Sequence, residues 1–254
     1  MKNKLFLISL VCVILISACG PSGKDEAPVG VEEQSVESES SQPEPTTAPE
    51  PTAYVCPIQE KQHEDWETVY CDTFDENLYG WELGIDYENG LETDIKNGKL
   101  ILDFNPENQS GYSTGFSLAN PIYGAENYVL NILGEMKSKF KNCTWGVLVN
   151  GYYDTGVAFD IDNQGNFYVT DYGYSGDIYI GNADSGSNSA IKWDAPNTIT
   201  VLAEGGKFLF FVNDTMLASY EPSDTDKVNV SLSSWAAEGV LVTYEIDHIL
   251  VREK

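Results

Sequence analysis

Alternation with a period of two, broken by tight turns, is the feature that most limits how this chain can fold. "LETDIKNGKLILDF" (91–104) has two extended arms around Asn97-Gly98, a pair suited to the positive φ angles of a two-residue hairpin turn. "VAFDIDNQGNFYVTDY" (157–172) repeats the form around Asn163–Asn166, and "ITVLAEGGKFLFFVNDTMLASY" (199–220) adds turns at Gly205-Gly206 and Asn213-Asp214. The segments "NYVLNILGEMK", "TWGVLVNG", "VNVSLSSW" and "LVTYEIDHILV" bring the expected number of strands to roughly a dozen. No long apolar period of 3.6 occurs. Many short strands with hairpin turns imply an all-β chain, an antiparallel sandwich or barrel.

The same alternation sorts side chains onto faces. Val157, Phe159 and Ile161 share one face with Phe167 and Val169 across the turn. Ala158, Asp160 and Asp162 share the other with Tyr168, Thr170 and Tyr172. In "TWGVLVNG", Trp145, Val147 and Val149 are expected inside, with Leu148 and Asn150 outside. The outward face thus combines Asn150, Asp160, Tyr168 and Tyr172. Aromatic rings beside amides and carboxylates suit sugars, whose C–H faces stack and whose hydroxyls hydrogen-bond. Tyr and Thr are equally at home on a plain solvated strand face.

Several strings in order resemble the concanavalin A-like jelly-roll domains. They are "FDENLYGW" (74–81), "NGKLIL" (97–102), "TWGVLVNG" (144–151), "VAFDIDNQGNFYV" (157–169), "WDAPNTITVLAEGGKFLFFVN" (193–213) and "VTYEIDHILV" (242–251). The resemblance spans about residues 66–254. It is similar in particular to the glucanase-like group that includes the 3-keto-disaccharide hydrolase domains, and to the laminin G-like group. It implies two curved antiparallel sheets, with any ligand on the concave face or its rim loops. A pattern of strands and turns speaks to fold more than to activity.

Signals for catalysis are weak. The related glucanases carry a strand motif Glu-x-Asp-x-x-Glu, and the near match here is "EIDHIL" (245–250), with Leu250 where the third carboxylate belongs. Leucine cannot protonate a leaving group, so the match reads as coincidence. A Ser-His-Asp arrangement needs a histidine base, and only His63 and His248 exist. Asp247 adjoins His248, but neighbours on a strand face opposite ways. "DIDNQG" from Asp160 begins like a calcium loop. Gln164 at position 5, Asp171 at position 12 and strand flanks favour a plain hairpin turn. No metal site or cofactor is expected, calcium being the one ion an acidic jelly roll could take.

The first 55 residues are different material. Lys2 and Lys4 precede the apolar run Leu5–Ala18, too short to span a bilayer, as in a secretory signal. Leu15-Ile16-Ser17-Ala18-Cys19 resembles the lipobox of bacterial lipoproteins, which implies cleavage before Cys19 and lipidation of its thiol. Residues 19–55, including "EEQSVESESSQPEPTTAPEPT", are nearly empty of large apolar side chains and read as a disordered acidic linker. About 36 such residues at ~3.1 Å each reach at most ~110 Å. The expected organisation is therefore a signal (1–18), a lipidated linker (19–55) and one domain (56–254).

Lys and Arg total 14 against 40 Asp and Glu; without Lys2 and Lys4 the count is 12 against 40, a charge of −28. Nucleic acid and anionic lipid surfaces would repel such a chain, leaving the lipid anchor as its membrane contact. Of five cysteines, Cys56, Cys71 and Cys143 remain in the domain. An exported compartment permits one bridge among them, and Cys56–Cys71 would clip the segment leading into the first strand. The expected protein is a lipoprotein of the bacterial cell envelope that presents a non-catalytic carbohydrate-binding domain. A protein-binding or structural domain, and a glycoside-active enzyme, are the alternatives.

Overall fold

The computed structural model describes residues 56–58, 62–86, 90–105, 116–117, 126–138, 140–141, 143–149, 156–172, 181–221, 230–237 and 239–254. The chain divides into two units, Met1–Thr52 and Ala53–Lys254. Cys19, the apolar run and the acidic linker lie outside the described residues, and no helix among those described is long and apolar enough to cross a membrane.

Two antiparallel sheets form the second unit. The strands, in chain order, are β1 (Glu67–Asp72), β2 (Gly84–Asp86), β3 (Leu91–Ile95), β4 (Leu100–Phe104), β5 (Phe116–Ser117), β6 (Tyr128–Lys137), β7 (Cys143–Val149) and β8 (Val157–Asp162). They continue as β9 (Asn166–Asp171), β10 (Gly181–Ser187), β11 (Asn197–Glu204), β12 (Lys207–Val212), β13 (Thr215–Tyr220), β14 (Val230–Ala236) and β15 (Val242–Glu253). A nine-stranded sheet runs β13-β12-β11-β6-β15-β4-β3-β2, with β1 pairing the far half of β15. A six-stranded sheet runs β10-β9-β8-β7-β14-β5. The alternating all-β sandwich read from the sequence is the fold.

The turns explain the hairpins locally. Asn97 and Gly98 have φ of 55° and 69°, and Lys96 and Lys99 exchange both backbone hydrogen bonds across them. Gly205-Gly206 and Asn213-Asp214 likewise have positive φ at both central residues. This geometry matches the right-handed twist of the flanking strands.

The core lies between the sheets and follows the alternation. Phe159 of β8 stacks on Phe210 of β12 at 4.8 Å between ring centroids, with planes 7° apart. Trp145 of β7 reaches across to Gly134 of β6, where an added Cβ would stand 3.0 Å from the Trp145 ring and 2.7 Å from Ile246. Polar ties reinforce the contact. Tyr244 of β15 donates its hydroxyl to the Thr144 carbonyl of β7 at 3.0 Å, and Tyr220 of β13 bonds Asp171 of β9. Burial and the Asp171 carboxylate push the Tyr220 hydroxyl up to about 12.

The outer side of the nine-stranded sheet is covered at one place by the segment before β1. Cys56 and Cys71 are disulfide-bonded, with Cα atoms 5.8 Å apart. Arg252 donates to the Gln62 carbonyl, and Gln62 reaches Asp214 in the β12–β13 turn. His63 packs at a tilt against Trp66, and Lys254 stands 5.7 Å from the Trp66 ring centre. Cys143 is a free, buried thiol at the start of β7, and burial raises its pKa. In the chain-entropy model the bridge, 15 residues apart in sequence, stabilises the fold by up to ~3 kcal/mol. Cys56→Ser/Cys71→Ser should lower the urea midpoint accordingly. An unchanged midpoint, with reductant equally without effect on the native protein, would refute that contribution.

Candidate functional site

Non-local pairing assembles the outer face of the six-stranded sheet. One row crosses it from Ser233 (β14) through Gly146 (β7) and Asp160 (β8) to Tyr168 (β9) and Ser185 (β10). The row on one side is Trp235–Thr144–Asp162, and on the other Ser231–Leu148–Ala158–Thr170. Small side chains therefore form a floor between Trp235 and Tyr168. At ~4.8 Å per strand, β14 and β9 stand ~14 Å apart. Trp235 is 39% exposed, while Tyr168 is half-buried. Gly146 is dictated by close approach: an added Cβ would lie 1.9 Å from the Phe159 carbonyl oxygen.

Asp160 and Asp162 share this face and have opposite surroundings. Asp162 is saturated. Its Oδ1 accepts the backbone N–H groups of Gln164 and Asn166, each at 2.8 Å. Its Oδ2 accepts Asn166 Nδ2 at 2.8 Å and the Tyr168 hydroxyl at 3.1 Å. These bonds tie down the β8–β9 turn, where Gly165 has a φ of 83°. Asp160 is 8% exposed, and its buried Oδ1 has no hydrogen-bond partner. Burial pushes its carboxyl up to about 7, against the opposing effect of a hydrogen bond with Ser233.

Of the four residues expected to form the outward face, Asp160 and Tyr168 stand directly opposite each other. Tyr172 lies just beyond β9, its amide bonded to the Gly156 carbonyl at 2.9 Å. Asn150 lies outside the described residues. The expectation of a solvated face needs correction at Asp160, Thr170 and Leu148, all of them buried. Trp235 and Ser233 escaped the sequence reading. Alternation in "VSLSSW" puts them opposite Val230, Leu232 and Ala236, but only the β14–β7 pairing shows which face they join.

The other described motifs lie away from this face. Glu245 and Asp247 belong to the nine-stranded sheet and share Lys99, at 3.0 and 3.2 Å. His248 is on the same strand, its imidazole pKa lowered by burial, and His63 precedes β1. One Gly-x-Ser-x-Gly string, Gly111-Tyr112-Ser113-Thr114-Gly115, lies outside the described residues. No cluster of three His, Cys, Asp or Glu side chains suited to a metal occurs among the described residues.

The raised pKa of Asp160 makes stability fall with pH. The unfolded carboxyl ionises near 3.8 and the folded one near 7, so between these values the native state holds the extra proton. Its stabilising effect is complete below pH 3.8 and lost as pH rises through 7. Asp160→Asn should match the native protein at pH 4 and exceed it above pH 7 by at least ~1 kcal/mol. Parallel denaturant titrations check this; a pH-independent difference would refute the buried-carboxyl account.

No family model and no curated protein matches the sequence. Solved structures do. A laminarinase from Flavobacterium sp. UMI-01 is 14% identical, with 74% of this chain and 100% of that chain covered and a TM-score of 0.51. The catalytic domain of an endo-1,3-beta-glucanase (laminarinase) from Thermotoga petrophila RKU-1 is 16% identical over 75% and 98%, with a TM-score of 0.50. A GlcNAcα1-4Gal-releasing endo-β-galactosidase from Clostridium perfringens is 10% identical over 77% and 64%, with a TM-score of 0.55. At such identities the likeness is one of fold. With its two antiparallel sheets in this order, the domain has the concanavalin A-like jelly-roll fold.

Proposed function

We propose that the domain binds carbohydrate on the outer face of the six-stranded sheet, without cleaving it, and that a lipid on Cys19 tethers it to the bacterial envelope. One observation carries the binding site: a buried carboxyl oxygen of Asp160 without a partner, on a floor of small residues between Trp235 and Tyr168. A buried acceptor left unpaired costs free energy that a ligand hydroxyl or N–H would recover. The two aromatic side chains offer stacking surfaces for sugar rings. The similar structures include sugar-cleaving enzymes, which adds support for a carbohydrate ligand.

Binding is favoured over hydrolysis by the state of the carboxylates. Glycoside cleavage needs two acidic groups free to act on the scissile bond. Among the described residues of this face there are two, and Asp162 is already engaged by four donors. That leaves Asp160 alone.

Screening the full-length protein on a glycan array tests the reading. Trp235→Ala and Tyr168→Ala should each weaken the binding found by about 1 kcal/mol, several-fold in Kd. Retained affinity in the double variant, or a bound oligosaccharide on the other sheet, would rule out this site. The tether is tested separately. Mature protein should begin at lipidated Cys19 and partition with membranes, and Cys19→Ala should remain unprocessed. An intact mass without lipid would refute the anchor.

A further inference from the structure

The glycan-binding reading leaves open which sugars the face accepts, and the charges on it bear on that choice. Among the described residues of this face stand two carboxyl groups, Asp160 and Asp162, and no Lys, Arg or His. The side chains against Asp160 carry no positive charge either: Gly146 on β7, Tyr168 on β9, Ser233 on β14 in the same row. Asp162 has its four donors from the β8–β9 hairpin itself. Asp160 has one oxygen with none.

We propose that this face selects sugars bearing a free amine, with the ammonium group held by Asp160. The inference rests on the carbohydrate-binding reading and narrows it. A neutral hydroxyl would fill the empty hydrogen-bonding position of Oδ1, but would leave an ionised Asp160 as an uncompensated buried charge. An ammonium supplies both the donor and the charge, and charge-assisted hydrogen bonds are about twice as strong as neutral ones. The charge of an ionised carboxylate is shared over both oxygens, so pairing with an ammonium does not depend on which of them faces the ligand. The chain's formal charge of −26 further favours approach of a cation over an anion.

Burial holds the Asp160 carboxyl near pH 7, so at that pH part of the population is protonated. Pairing with an amine that is already protonated drives the carboxyl to its ionised form and releases its proton to the solvent. A neutral sugar gives no such drive. Proton release on binding is therefore a signature that a merely structural Asp160 would not produce.

Calorimetry of the full-length protein at pH 5.5, where the amines of β-1,4-linked glucosamine hexamer are charged and the Asp160 carboxyl still holds its proton, tests the proposal against the fully N-acetylated counterpart. Each titration is run in two buffers of different ionisation enthalpy and at two salt concentrations. The expected result is at least about tenfold tighter binding of the amine form, with proton release. Asp160→Asn should fold as the native protein does, bind both hexamers alike and release no proton. Glu92→Gln, on the other sheet, should retain the preference. Equal affinity of the native protein for both hexamers overturns the amine inference and leaves carbohydrate binding intact. A preference that persists in Asp160→Asn also overturns it, because the attraction then belongs to the overall charge. Binding of neither hexamer, together with an empty glycan array, overturns both readings.

Discussion

The stack of Phe159 on Phe210 fixes the relation between the two sheets. Each ring belongs to a strand whose neighbours alternate, so setting one inward-facing residue sets the whole strand. With Phe159 committed to the core, Asp160 and Asp162 must face away from it, and Gly146 and Tyr168 stand beside Asp160 through the register of β7 and β9. Trp145 docks over Gly134 by the same rule, one strand further along. A slip of one residue in β8 would put two carboxylates in the core and turn Val157, Phe159 and Ile161 out of it. The core packing and the outer face are two sides of one constraint.

Two aspartates two residues apart show how strongly local geometry governs chemistry. Asp162 ends its strand, where the turn supplies backbone N–H groups aimed at its carboxylate. Asp160 lies mid-strand, where every neighbouring N–H and carbonyl is occupied by the ladder. Its side chain can look only to residues on its own face, where Gly146 and Ser233 are small and the Tyr168 hydroxyl is committed to Asp162. Gly146 and Ser233, the small residues beside it, offer few side-chain donors to its carboxyl. The same neighbours thus raise the cost of burying Asp160.

Much of this architecture was legible in local sequence. Asn97-Gly98 and Gly205-Gly206 require positive φ, and each marks a hairpin found in the structure. Faces along β8 and β9 follow from counting by two, and Phe159 and Phe167 point inward together as counted. What could not be read is which strands lie side by side when far apart in sequence. β14 joins β7 across some eighty residues, and that step alone brings Trp235 and Ser233 to Asp160. Nor does alternation report depth. It places Asp160 and Thr170 on an outward face but says nothing of their burial. The pairing of Cys56 with Cys71 could be favoured from their position before and within the first strand, whereas the hold of Gln62 on Asp214 depends on a turn 152 residues away.

The bridge between Cys56 and Cys71 has a mechanical consequence. Tension applied to the chain ahead of Cys56 passes through the covalent S–S bond to Cys71, inside β1. Residues 57–70 are bypassed and carry none of it. The hydrogen bonds of Gln62 with Asp214 and of Arg252 with the Gln62 carbonyl therefore cannot be peeled one at a time by a pull from that end. The load falls instead on the β1–β15 ladder around Cys71 and Leu250, where neighbouring bonds share it. Force from that end would meet a strand ladder in place of a loose end.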